Sequence, residues 1–114
     1  MEKNIELRFM HWVFVDGIKF FGPGRAELLV HIQDTGSIAK AAKAMEMSYK
    51  KAWRMVDEMN AMGKSPYVVT QKGGKQGGGT ELTERGKAVL AAYRKLNTKL
   101  RAVIEEESEL PGLI

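Results

Sequence analysis

The chain has 114 residues, about one domain's worth, with a formal net charge of +4, a pI near 9.4 and no cysteine. Without cysteine there are no disulfides, thiolate metal sites or thiol nucleophiles, and the basic balance suits an acidic partner such as nucleic acid. The N-terminal MEKNIELRF lacks the continuous apolar core of a signal peptide, and no run approaches the roughly 18 apolar residues of a membrane span, so the expected location is the cytoplasm.

Between Ile5 and Val15 the odd positions Ile5, Leu7, Phe9, Val13 and Val15 are apolar while Glu6 and Arg8 alternate with them, the period-two pattern of a half-buried strand that His11 interrupts. Asp16-Gly17 suits a two-residue type I′ turn, and Ile18 to Phe21 read as the returning strand, giving an N-terminal hairpin over residues 1–22. Its even face carries Met10, Trp12 and Phe14. That is too much apolar surface for a solvated sheet, and it predicts packing against a helix or another subunit.

After the Gly22-Pro23-Gly24 break, Ala26, Leu28, Leu29, Val30 and Ile32 suit a short buried helix ending near Thr35 and Gly36. Ser37 is placed to cap a second helix with Ile38, Ala41, Ala42 and Met45 on its apolar side, and Ser48 to cap a third that continues to about Met62. In the third helix Ala52, Val56 and Met59 form the core stripe. Lys50, Lys51 and Arg54 fall off it near the start, and Asp57 and Glu58 further along. Residues 23–62 thus read as a helical core containing a helix-turn-helix, whose positive charge sits where such a helix meets base edges in a major groove.

Gly63 closes that helix, and Tyr67 to Gln71 is a β-branched strand candidate. The glycine-rich KGGKQGGG at 72–79 and a second short strand at Leu82 complete a β-wing over 66–83, with Lys72 and Lys75 placed to lie along a phosphate backbone. A nucleotide-binding loop is disfavoured there, because a strand rather than a helix follows and no G-x-x-x-x-G-K-[ST] run is present. Thr83 suits the N-cap of a last helix over 84–107, in which Val89, Tyr93, Leu96, Leu100 and Val103 are spaced as a coiled-coil seam, the expected dimerisation surface. Glu105, Glu106, Glu107 and Glu109 make its acidic end, with Pro111 and Gly112 in a frayed tail.

The order of hairpin, helix, helix-turn-helix, glycine-rich wing and long helix resembles the N-terminal DNA-binding domain of the ModE family of molybdate-dependent transcriptional regulators. The match is carried by FFGPGRAELL at 20–29, TGSIAKAAKAMEMSYKKAW at 35–53, VDEMN at 56–60 and KGGKQGGGTELTERGKAVLAAY at 72–93. The helix pair also resembles that of LysR-type regulators. The resemblance implies a mainly α, α+β fold: a single winged helix-turn-helix domain over 1–114, acting as a homodimer on a roughly palindromic stretch of double-stranded DNA.

Carried over by position, the contact residues are Ser48, Tyr49, Lys50, Lys51, Trp53 and Arg54, with Ser37 and Lys40 on the preceding helix and Lys72 and Lys75 on the wing. Arg54 is the expected bidentate partner of a guanine, and the lysines serve bases or phosphates. Trp53 suits either DNA contact or cover for the core edge. The chain ends at Ile114, so the family's molybdate-sensing β-barrel domains are expected to be missing, and no cofactor is expected. Glu46 stands where the family usually has glycine in the turn, and a left-handed glutamate costs on the order of 1 kcal/mol, so a slightly different turn is the alternative.

His11 and His31 lack partners at metal-ligand spacing, and no nucleophile, histidine and acid set is legible, so no metal site, small-molecule site or enzymatic activity is expected. The bland reading of Lys50, Lys51 and Arg54 is a solvated helix face. Two other functions fit the same pattern: a protein-interaction module that keeps the fold and uses the apolar hairpin and long helix, and an architectural DNA binder with a steep salt dependence and little sequence preference.

Overall fold

A computed structural model describes residues 3–71 and 79–114. The order is β1 (Val13–Val15), β2 (Ile18–Phe21), α1 (Pro23–Thr35), α2 (Ile38–Ala44), α3 (Tyr49–Met62), β3 (Val68–Gln71), β4 (Gly79–Leu82), α4 (Glu84–Glu106) and the single turn α5 (Glu109–Gly112). It is an α+β arrangement: two separate antiparallel hairpins, β1-β2 and β3-β4, flank a three-helix core.

The first hairpin turns at Asp16 and Gly17, whose φ of 50° and 78° are the two positive values a type I′ turn demands. Its first strand is shorter than the alternation predicts. Only Val13–Val15 pair with Ile18–Phe21, with an irregularity between Val13 and Phe14, and residues 5–12 form no strand. The physical reason is the partner's length: β2 has four residues before Pro23 opens α1, so the ladder has nothing to extend along. The apolar alternation from Ile5 is spent instead on lying alongside α1 and α4, where Ile5, Leu7 and Phe9 line an open groove with Leu90 and Ile104.

Three side-chain caps start the helices as their sequences predict. Ser37 Oγ accepts from Lys40 N at 3.1 Å, Ser48 Oγ from Lys51 N at 3.0 Å and Thr83 Oγ1 from Gly86 N at 3.0 Å. Thr83 also donates to Pro66 O at 2.6 Å, which ties the start of α4 to the entry of the wing. Between α2 and α3 the chain makes a Schellman turn, Glu46 N–H reaching Lys43 O at 3.1 Å and Met47 N–H reaching Ala42 O at 3.0 Å. Glu46 takes the left-handed position of that motif with φ 54°, so the turn keeps the glycine-type geometry and carries the strain of a side chain there.

The core is built from Leu28, Leu29 and Ile32 of α1, Ile38, Ala41 and Ala42 of α2, and Ala52, Val56 and Met59 of α3. Phe20 and Phe21 enter it from the first hairpin, Tyr67, Val68 and Leu82 from the base of the second, and Leu90 and Tyr93 from α4. Burying one such side chain contributes about 1.5–3 kcal/mol relative to leaving it exposed. The small Ala41, Ala42 and Ala52 let α2 and α3 approach closely.

Helix α4 has 23 residues and is therefore about 35 Å long, and the molecule reaches 59 Å along its longest axis. The expected seam along it is divided. Tyr93 is 7% exposed and belongs to the protomer's own core, Val89 and Leu100 are half-buried, while Leu96 and Val103 stand 44% and 65% exposed. A helical turn is 3.6 residues, so the stripe running Leu90, Tyr93, Asn97, Leu100 faces inward and the Leu96, Val103 stripe faces out. The tail is also more ordered than the expected fray: Pro111 and Gly112 belong to α5, whose first turn is met by Glu107 Oε2 accepting from Leu110 N at 2.8 Å.

Candidate nucleic-acid interface

Helix α3 carries the sharpest division of faces in the chain. Ala52, Val56 and Met59 are at most 2% exposed, while Tyr49, Lys50, Lys51 and Arg54 lie open on the opposite side of the first half of the helix. Trp53 is half-buried against the core and meets Tyr49 edge-on at 6.2 Å, so it covers the core edge and braces the exposed Tyr49 ring together. The first turn of α3 has no acidic residue, and Lys50 and Lys51 there form no ion pair among the described residues. Positive charge at a helix N-terminus opposes the macrodipole, at about 0.3–1 kcal/mol per charge. This sequence therefore breaks a stability rule at the spot where it presents cations, which is where local rules give way to function.

Arg54 is held on one side by Glu58, Nε to Oε1 at 3.7 Å. The pair is exposed, Arg54 by 67%, and an exposed i,i+4 pair contributes only about 0.3–0.5 kcal/mol, so a better anionic or base-edge partner can displace it. Glu58 also pairs with Arg25, whose Nη1 donates to Phe20 O at 2.6 Å. The Arg25 guanidinium is largely buried and its charge is met by Glu58, so it fixes the angle of α3 against β2 and α1.

On α2, Lys40 is exposed, whereas Ser37 is half-buried with its hydroxyl oxygen occupied by the Lys40 amide. Ser48 is occupied in the same way by Lys51. Lys72 and Lys75 lie outside the described residues, but the stem that carries them is fixed. Thr80 N–H donates to Gly36 O at 2.9 Å, joining β4 to the start of α2.

The stem's strongest tie is one that the sequence reading did not assign. Asn60, near the end of α3, accepts at Oδ1 from Tyr67 N at 2.8 Å and from Val68 N at 3.1 Å, and donates from Nδ2 to Val68 O at 3.0 Å. One amide side chain thus behaves as a strand partner for the wing. The available signal was a lone amide beside Met59 in the core stripe, ahead of the Gly63 that ends the helix.

A second unassigned tie fixes α4. Tyr93 Oη donates to His11 O at 2.8 Å, the two rings stack at 4.3 Å, and His11 Nε2 lies 2.6 Å from Asn97 Oδ1. The interruption that His11 makes in the apolar alternation is therefore the docking point of residues 5–12 on α4. Burial pushes the Tyr93 and Tyr67 hydroxyls above their ordinary acidity range, with Arg85 partly offsetting the effect at Tyr67, so both stay neutral at physiological pH. Among the described residues no group of three or more His, Asp or Glu side chains gathers as a metal would require.

No family model matches the sequence. The molybdenum transport protein ModE of Azotobacter vinelandii is 44% identical over 85 residues, covering 75% of this chain and 32% of that protein. Other curated relatives include ModE proteins named as transcriptional regulators and the molybdenum-pterin-binding proteins MopA and MopB of Rhodobacter capsulatus. The DNA-binding transcriptional dual regulator ModE of Escherichia coli is 37% identical over 95 residues, 81% of this chain and 36% of its own length. The chain thus spans about a third of the ModE relatives it matches, among them transcriptional regulators rather than enzymes. A solved LysR-family transcriptional regulator superposes with a TM-score of 0.53 at 16% identity, over 70% of this chain and 26% of its own, a likeness of fold. No described helix is long and apolar enough to cross a membrane.

Proposed function

We propose that this chain, as one winged helix-turn-helix unit, is the DNA-binding part of a transcription regulator and reads duplex DNA with the first half of α3. Tyr49, Lys50, Lys51 and Arg54 meet base edges and phosphates, Lys40 and Trp53 flank them, and Ser37 and Ser48 hold the two helix starts in register. The observation that carries this reading is the two lysines, without an ion pair among the described residues, set against the dipole of α3 on a helix whose other face is locked into the core. The E. coli ModE relative, itself a DNA-binding regulator, adds support. Lys72 and Lys75 extend the phosphate contact from the wing.

The unit acts as a homodimer in the cytoplasm. A second copy covers Leu96 and Val103 and the groove of about 850 Å³ between residues 5–10, α1 and the outer half of α4, which pairs two reading helices on a two-fold symmetric site.

Gel shifts on genomic fragments at several salt concentrations test the reading. Specific binding appears as a subset of fragments retained at the highest salt, with log affinity falling linearly in log salt. Equal retention of every fragment contradicts specificity, and no shift at low salt contradicts DNA binding.

A further inference from the structure

Between the N-terminal hairpin and α3 lies a cleft of about 290 Å³ lined by Trp12, Lys19, Gly22, Arg25, Lys51 and Met55. We propose that this cleft holds a stretch of the DNA sugar-phosphate backbone, with Lys19 and Lys51 as phosphate contacts on its two walls, so that the hairpin adds a grip on DNA beside α3. The inference rests on the reading of α3 given above and adds an element to it that no relative's name implies.

Three observations carry it. The cleft is continuous with the reading face, since Lys51 belongs to the same exposed first turn as Tyr49 and Lys50. Its charge is positive and uncompensated: Lys19 and Lys51 are exposed and form no ion pair among the described residues, whereas Arg25 is met by Glu58. Lys19 is also held in place. Its Nζ lies 4.9 Å from the centre of the Trp12 ring, and that ring sits so close over Gly22 that a Cβ there would come within 2.1 Å of Trp12 Cδ1. The missing side chain at Gly22 seats Trp12, and Trp12 supports the ammonium at the mouth of the cleft through a cation–π contact. Two positioned cations beside a recognition helix match the strand of phosphates that borders a major groove.

The test is the affinity of the full chain for a fluorescent duplex, measured across a salt series for the wild type, Lys19→Gln and Lys19→Arg. Removing one phosphate contact lowers the steepness of log K against log salt by about 0.9 and weakens specific and unrelated duplexes by the same factor. The Lys19→Gln variant is expected to show both, with unchanged circular dichroism and unchanged molecular mass in solution, and Lys19→Arg is expected to restore the slope. A Lys19→Gln variant with the wild-type slope overturns this inference while leaving the α3 reading intact. A wild-type chain that binds no duplex overturns both.

Discussion

The two hairpins have almost the same size, strands of three and four residues against four and four, yet they are attached in different ways. The N-terminal hairpin is attached chiefly by burial, with one side-chain hydrogen bond from Arg25 to Phe20 O: Phe20 and Phe21 are 5% and 1% exposed and meet Tyr67 and Tyr93 edge-on. The wing also has a buried base, but its direction is set by hydrogen bonds, three between Asn60 and the backbone of Tyr67 and Val68 and one from Thr80 N–H to Gly36 O. An isolated two-stranded hairpin is marginal in water, so each needs a clasp. Burial is strong but non-directional, whereas hydrogen bonds specify an angle. A hairpin whose stem must keep a set direction is served by the second kind.

The contrast can be broken from either side. Phe21→Ala removes the apolar anchor and should destabilise the whole fold by about 3–5 kcal/mol, seen as a single cooperative loss in denaturant unfolding. Asn60→Ala leaves two amides and a carbonyl of the wing without partners and should cost about 2 kcal/mol. Hydrogen exchange should locate that loss first at the amides of β3 and β4. If Asn60→Ala loosened β1-β2 equally, the separate attachment of the two hairpins would be refuted.

Smaller effects sharpen the same picture. Tyr93→Phe keeps the ring against Phe21 and removes only the bond to His11 O, a loss of about 1 kcal/mol that should appear as faster exchange and proteolysis within residues 5–12 while the core stays protected. Glu46→Gly relieves the left-handed side chain in the turn before α3, at the expense of a more flexible unfolded chain. A net gain of about 0.5–1 kcal/mol is expected in thermal unfolding.

Much of this architecture is legible in the sequence because it depends on short-range rules. The serine and threonine caps, the Asp16-Gly17 turn and the Ala52, Val56, Met59 stripe each act within a few residues of themselves. Glu46 shows the limit of such rules: the sequence leaves open whether the turn adapts to the glutamate, and the Schellman bonds keep its left-handed shape. The strand from Ile5 failed because periodicity reports which residues are apolar, not whether a partner strand is long enough to receive them. The seam on α4 contained residues of two faces, because heptad spacing does not reveal that Tyr93 is claimed by His11 and Phe21 within the same protomer. Met10 and Phe14 stand 68% and 59% exposed, so of the two expected covers, a helix or another subunit, no helix of the protomer supplies one. Asn60 and the Arg25–Glu58 pair escaped because both act across sequence separations, 8 and 33 residues, that no local pattern encodes.

The central claim is that the cations on the first turn of α3 are kept against the helix's own stability in order to meet DNA, and Lys50→Glu tests it most directly. Glutamate at that place complements the macrodipole and should leave thermal stability unchanged or raise it by about 0.3–1 kcal/mol. Affinity for the duplex retained at highest salt should at the same time fall by about tenfold or more, the cost of a lost base or phosphate contact. The paired measurement of melting temperature and duplex affinity is therefore expected to move in opposite directions, or to show a loss of binding at constant stability. Unchanged affinity, or a melting temperature that falls together with binding, would contradict the account.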